Sequence, residues 1–347
     1  LSVPDQVWEV LESDFHKAAV CRIAAERRLA DVLEALAASQ VPALVVKGAA
    51  VAAFYPHPAL RGYSDLDLLV QPELLDQAQS ALAGLGYRPS KVEQPTLDHQ
   101  FRHLSPMTPP DGRLPVEVHW RLDDPHRVGR LPVDGLWARA VPWSVTGAPA
   151  FRLETVDAVL HLCRHTFVQH LGELLLQSIC DLAMLTREWD QTEWSTLTRR
   201  AIEDGLDRAA YLLLVLMEQV LGLAAPREVI DELRSACGEA PPAGLVARFL
   251  SVEPRGATAV SGTAVRIWSR RTVLGRLLHL WHQIVLPRAA MAAIYDVPVD
   301  SPRIWLAYLW RPLDLWQRHG RAAWDALRGD PFARSDWSQA VWLQRWL

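Results

Sequence analysis

The stretch from Leu44 to Val70, LVVKGAAVAAFYPHPALRGYSDLDLLV, limits the possible folds of this chain more than any other part of it. Ser64-Asp65-Leu66-Asp67-Leu68-Leu69-Val70 alternates acid with leucine and then turns wholly apolar, the pattern of a strand with one end at solvent and the other in a core. Side chains alternate faces along a strand, so Asp65 and Asp67 share one face while Leu66 and Leu68 enter a core on the other. The two carboxylates are then about 7 Å apart at Cα. Such a pair repels unless positive charge lies nearby, and Mg²⁺ fits best, because it takes oxygen ligands and leaves positions for phosphate oxygens.

Upstream, Ala43 to Val46 reads as a short buried strand ending in Lys47-Gly48, and the small residues that follow read as a helix. A strand, a glycine turn and a helix start form a place where phosphate can bind. Lysine is rare here: Lys17, Lys47 and Lys91 are the only three, so a lysine at this turn is informative. Arg61 and Ser64 could add phosphate contacts or cap a turn.

A second alternating stretch, Leu114-Pro115-Val116-Glu117-Val118-His119-Trp120, sets Val116 and Val118 on one face and Glu117 with His119 on the other. Glu117 is the best candidate for a third acid. His119 could orient Glu117, contact a phosphate or take a proton from an acceptor.

Taken together, Lys47-Gly48 and Arg61-Gly62-Tyr63-Ser64-Asp65-Leu66-Asp67-Leu68-Leu69-Val70 resemble the signature of nucleotidyltransferases of the DNA polymerase β-like superfamily, in particular its uncharacterised nucleotidyltransferase branch. The resemblance implies a Mg²⁺-dependent transfer of a nucleoside monophosphate from an NTP, ATP foremost, with two metal ions held by Asp65, Asp67 and Glu117. Lys47, Gly48, Arg61 and Ser64 would bind the nucleotide, and His119 would assist. Ala49 stands where that superfamily usually has serine. The branch also tends to show a histidine and an Asp-Leu-Ala-x-Leu helix further on, matched by His165 and Asp181 to Leu185.

The chain of 347 residues is long enough for two domains. We expect an α/β or α+β nucleotidyltransferase domain with a mixed sheet over 1–154, including N-terminal helices over 4–38, then an all-α domain over 155–347. Strand character recurs at 87–90, 99–104 and 150–153. The Pro-, Gly- and Arg-rich segment after Trp120 is a candidate lid or acceptor-binding loop. From Thr155 the period becomes 3.6, with helices expected at 155–170, 172–188, 192–204, 206–222, 226–236, 262–285 and 302–328.

His161 and His165 lie one helical turn apart, a spacing that also suits a metal, although Cys163 falls on another face. Asp181, in an apolar segment, reads as the buried partner of a His or Arg.

Net charge is −4, but residues 252–347 carry 13 Arg against 7 acids and nine of the 15 tryptophans. Arg266, Arg270, Arg271, Arg311, Arg318 and Arg321 alternate with Trp268, Trp281, Trp305, Trp310, Trp316 and Trp324. That mixture suits either a polyanion site or a tryptophan core with a solvated arginine face. The expected acceptor is therefore a small molecule or a protein, with nucleic acid as an alternative, and an inactive nucleotide-binding scaffold of the same fold as another. Cys21, Cys163, Cys180 and Cys237 are too scattered for a zinc site or a disulfide-linked partner, and read as reduced thiols of a cytoplasmic protein. No stretch is apolar enough to span a membrane, and the N-terminal residues do not resemble a signal peptide.

Overall fold

In the computed structural model of this chain, the described residues are 4–89, 103–123, 129–170, 175–239, 272, 274, 281, 284–295, 297–328, 343, 346 and 347. Expectations for most of a strand over 99–104, for Trp268, Arg266, Arg270 and Arg271, and for most of a helix over 262–285, fall outside them. So do the side chains of Arg318, Arg321 and Trp324.

The chain begins with one uninterrupted helix, α1 (Asp5–Ala38), where the sequence allowed one or two. Its second half buries Leu29, Val32, Leu33 and Leu36, a 3.6-residue stripe, against the sheet. β1 (Leu44–Val45) follows, then the short α2 (Ala49–Ala52), β2 (Leu66–Leu69) and α3 (Leu75–Gly84), which runs on from a 3₁₀ turn at Pro72–Leu74. β3 (Arg88–Pro89), β4 (Met107–Thr108) and β5 (Val116–His119) come next, and β4 and β5 pair antiparallel.

The segment expected as a lid is largely built into the fold. It holds α4 (Val133–Ala138) and β6 (Val141–Val145), which forms a hairpin with β7 (Ala148–Arg152). The hairpin turn is Thr146-Gly147, with φ +49° and +94°, two successive left-handed residues that let a two-residue loop follow the strand twist. Arg139 and Arg200 grip the buried Asp157 (Nε to Oδ2 2.8 Å and Nη1 to Oδ1 3.1 Å), and Arg164 donates to the carbonyls of Leu122 (2.7 Å) and Gly129 (3.1 Å). These bonds tie both ends of the segment to helices that follow it. Residues 124–128 are not described.

The sheet order is β3-β4-β5-β2-β1-β7-β6, mixed in direction: β2 runs parallel to β5 and antiparallel to β1, which is parallel to β7. Alternation of side chains gives the sheet two covered faces. Val45, Leu66 and Leu68 join α1 and α3 in one core, whereas Leu44, Val46 and Leu69 join the helices beyond Thr155 in the other. Those helices are α5 (Thr155–Cys163), a π-helical turn at Arg164–Gln169, α6 (Leu175–Leu185), α7 (Gln191–Glu203), α8 (Asp207–Leu221) and α9 (Arg227–Cys237). Further on lie α10 (Arg288–Tyr295) and α11 (Ile304–Arg328), with a small core of their own around Met291, Ala292, Ile304 and Ala307. The architecture is therefore α+β, a mixed seven-stranded sheet followed by helices. Among the described residues no helix is long and apolar enough to cross a membrane.

Candidate functional site

Three strands bring the site together. β2 and β5 lie parallel with Asp67 opposite Glu117 and Leu69 opposite His119, so the two acid-bearing faces coincide. β1 lies on the other side of β2, and Lys47 leaves its end directly beside Asp67. A one-residue slip of β5 would send Glu117 and His119 into the opposite core. The buried Val116 and Val118 hold the register against that slip.

Asp67 is the centre. Its side chain is 3 % exposed, and its Oδ1 receives Lys47 Nζ at 3.0 Å and His119 Nε2 at 2.9 Å. The same His119 nitrogen lies 3.5 Å from Glu117 Oε2. Burial alone would raise the Asp67 carboxyl, but the hydrogen bond to His119 and the Lys47 charge together hold it well below the usual carboxylate range. His119 shows the complementary shift: burial would lower its imidazole, yet the bonds to Asp67 and Glu117 outweigh burial and raise it. Glu117, half-buried, is lowered chiefly by the His119 hydrogen bond. Asp65, also half-buried, is raised, first by burial and then by the Asp67 charge.

Ligand atoms of Asp67, Glu117 and His119 all lie within 4.8 Å of one another, the one group of three or more metal-capable side chains among the described residues. This differs from the sequence expectation in one respect, because Asp65 stands outside the cluster and His119 within it. The donor set suits a divalent cation through its two carboxylates. Mg²⁺ prefers oxygen, so His119 serves better as the group that orients Asp67 than as a ligand.

Gly48 adopts φ +50°, and a Cβ there would sit 3.2 Å from the ring carbons of Tyr63, so the turn requires glycine on both counts. Ser64 is exposed in the bend before β2. Arg61 is tied to the helical region. Its guanidinium grips Asp181 on α6 (Nε to Oδ1 2.8 Å, Nη2 to Oδ2 2.9 Å), and Tyr55 donates to the same carboxylate at 2.7 Å. The expected buried partner of Asp181 is thus Arg61. Burial and the Asp181 charge push the Tyr55 hydroxyl far above its ordinary value, so it remains a donor.

Two further histidines border the site. His165 Nε2, from the π-helical turn, lies 3.4 Å from Lys47 Nζ, and the His103 ring lies 5.0 Å from that of His119. The helical spacing of His161 and His165 was visible, but nothing in it told which strand they would face. In the arginine- and tryptophan-rich end, Trp305, Trp310 and Trp316 are exposed on α11, and Arg288 lies over the Trp305 ring at 5.6 Å. Arg311 is instead buried, 6.0 Å from the Tyr295 ring centroid and 3.6 Å from Asp314.

The family model described as uncharacterised nucleotidyltransferase matches residues 1–222, a span that holds the sheet, all the site residues and α5 to α8. No curated protein matches in sequence. Among solved structures, that of the antibiotic-resistance factor ANT(2'')-Ia is similar at TM-score 0.40 and 14 % identity, over 57 % of this chain and 98 % of its own.

Proposed function

The chain belongs to the uncharacterised nucleotidyltransferase family, and from that premise we propose that it transfers a nucleoside monophosphate from an NTP, ATP foremost, to a small-molecule or protein acceptor. The observation that carries the reading is the parallel register that sets Asp67 against Glu117, with Lys47 and His119 on the same carboxylate oxygen. Structures seldom pack three carboxylates and two cations at the edge of a core without use, because each desolvated charge is costly.

In this reading an acceptor hydroxyl, amine, phosphate or carboxylate attacks the α-phosphorus, the bond to the β-phosphate oxygen breaks, and pyrophosphate leaves. Asp67, Glu117 and Asp65 would hold Mg²⁺, whose role when bound is to neutralise charge on the phosphate oxygens. Lys47 at the Gly48 turn contacts the phosphates with an N–H not spent on Asp67. His119, fixed between two carboxylates, keeps Asp67 oriented rather than taking the acceptor's proton. The acceptor's proton leaves to water.

The test is pyrophosphate release from each NTP across panels of sugar, amine and protein acceptors, with Asp67→Asn alongside. Acceptor-dependent release that vanishes in a folded Asp67→Asn supports the reading. Equal rates in both proteins would refute it. The wholly apolar α2, without a hydroxyl, favours a second reading in which nucleotide binds without turnover; binding with no release across all panels would select it. The exposed tryptophans of α11 favour a nucleic-acid acceptor instead, which would show as RNA or DNA affinity that falls steeply with salt.

A further inference from the structure

The turn that carries Lys47 is poor in donors. Helix α2 is four residues long and consists of Ala49, Ala50, Val51 and Ala52 alone, so the side chains of this turn and helix contribute one ammonium and no hydroxyl. A triphosphate offers many strong acceptor oxygens, and an ammonium already shared with Asp67 cannot satisfy them. Further donors have to come from across the turn.

What lies across it is a histidine edge of the helical region. His165 Nε2 reaches Lys47 Nζ at 3.4 Å, and the ring of His161, one turn earlier on α5, is 5.9 Å from that of His165. His161 is 4 % exposed, and neither of its ring nitrogens has a hydrogen-bond partner. Buried polar groups are nearly always paired, so an imidazole with both nitrogens unspent is a marked exception. The groups that act on it most strongly are His165, Lys47 and Arg164, with Asp67 opposing them. That balance repels a cation and attracts an anion. In accord with it, the metal-capable group among the described residues leaves His161 and His165 out. Arg164 is engaged by the carbonyls of Leu122 and Gly129, and His165 is, after Asp67, the side chain in contact with the ammonium. The π-helical turn at Arg164–Gln169 resets the face on which His165 projects, a distortion that proteins often keep where it serves a ligand.

We propose that His165 and His161 form the wall of the triphosphate subsite opposite the Gly48 turn, His165 beside Lys47 and His161 behind it, so that the helical region supplies the hydrogen-bonding groups that α2 lacks. This rests on the nucleotidyl-transfer reading above. The ligand class is a nucleoside triphosphate, recognised at this edge through its phosphates and not through its base.

Calorimetric titration of the full chain with inorganic tripolyphosphate and Mg²⁺, and in parallel with a non-hydrolysable ATP analogue, tests it. Wild type binds both, His165→Ala and His161→Phe each weaken tripolyphosphate by about tenfold or more, and His165→Gln and His161→Gln, which keep a polar group of similar reach, recover most of the loss. Thermal melting checks that each variant is folded, and the glutamine variants carry the test if His161→Phe is not. Wild-type tripolyphosphate affinity in a folded His165→Ala or His161→Phe, with the analogue still bound in an Asp67-dependent way, overturns this inference and leaves nucleotidyl transfer standing. Wild type that binds neither ligand overturns both.

Discussion

Asp67 and Asp181 are both buried carboxylates facing cationic side chains, yet they are built for different ends. Asp181 is 2 % exposed and meets rigid partners, the planar fork of Arg61 and the hydroxyl of Tyr55, with no second acid among its bonds. It joins the loop after α2 to α6 as a strut. Asp67 is just as buried but meets a flexible lysine and a titratable histidine, with Glu117 close by and Asp65 on the same strand face. A charge cluster whose members can each be exchanged for another cation, or for a proton, is poor as a strut and good as a site. The contrast teaches that burial and ion pairing alone do not mark function here. The excess of acids and the softness of their partners do.

The largest expected effect falls on the Asp67 side of this comparison and on activity: Asp67→Asn brings pyrophosphate release to background while the protein still folds, at a lower melting temperature because the charged bonds to Lys47 and His119 are lost. The mirror image holds at Asp181, where Asp181→Ala leaves the Arg61 guanidinium buried without its acid and costs about 3–5 kcal/mol of stability by denaturant unfolding. Adding Arg61→Ala to it costs much less than the sum of the two single changes, because both break the same pair. If Asp181→Ala instead abolished turnover in a stable protein, the division into strut and site would collapse.

A smaller effect is expected at Gly48. Gly48→Ala places a Cβ 3.2 Å from Tyr63 at φ +50°, and costs on the order of 1–3 kcal/mol in chemical denaturation. The smallest is a pH dependence. His119 has its folded pKa raised above the ordinary value of about 6.5. Its bonds to Asp67 and Glu117 therefore add stability that is fully present below that ordinary value and is lost as pH rises through the raised one. Melting temperatures of metal-free protein should fall across that window in wild type and stay flat in His119→Gln. A flat wild-type profile would mean that His119 is neutral and merely packed.

Much of the site could be read in the chain because strands write their faces in alternation. Asp65-Leu66-Asp67-Leu68 and Val116-Glu117-Val118-His119 each declared which side chains share a face, and the structure adds that the two faces are one, with Asp67 against Glu117. The Lys47-Gly48 turn was legible for the same local reason, a buried strand ending in a residue free to take positive φ. The partner of Arg61 was not legible. Its position ahead of the acids suggested phosphate, whereas Asp181 lies 120 residues on, and only the packing of α6 against that loop brings them together.

The reading of residues 121–149 as a lid failed for a different reason. Proline and glycine there mark the ends of α4 and the Thr146-Gly147 hairpin turn, and the bonds of Arg164 and Arg139 that pin the segment come from long-range contacts. Among the described residues, the helices from α6 to α9 keep close to the bounds that the period predicts. Even so, the expected 155–170 helix changes to a π-helical turn at Arg164, which no periodicity foretells.

The central claim is that the acid pair of β2 and β5 is a nucleotide and metal site. The most direct test is calorimetric titration of the chain with non-hydrolysable ATP and GTP analogues, with and without Mg²⁺, beside the double variant Asp67→Asn/Glu117→Gln. Wild type is expected to bind in a Mg²⁺-dependent way and the folded double variant not at all. Equal binding by both proteins, or no nucleotide binding by a well-folded wild type, would contradict it.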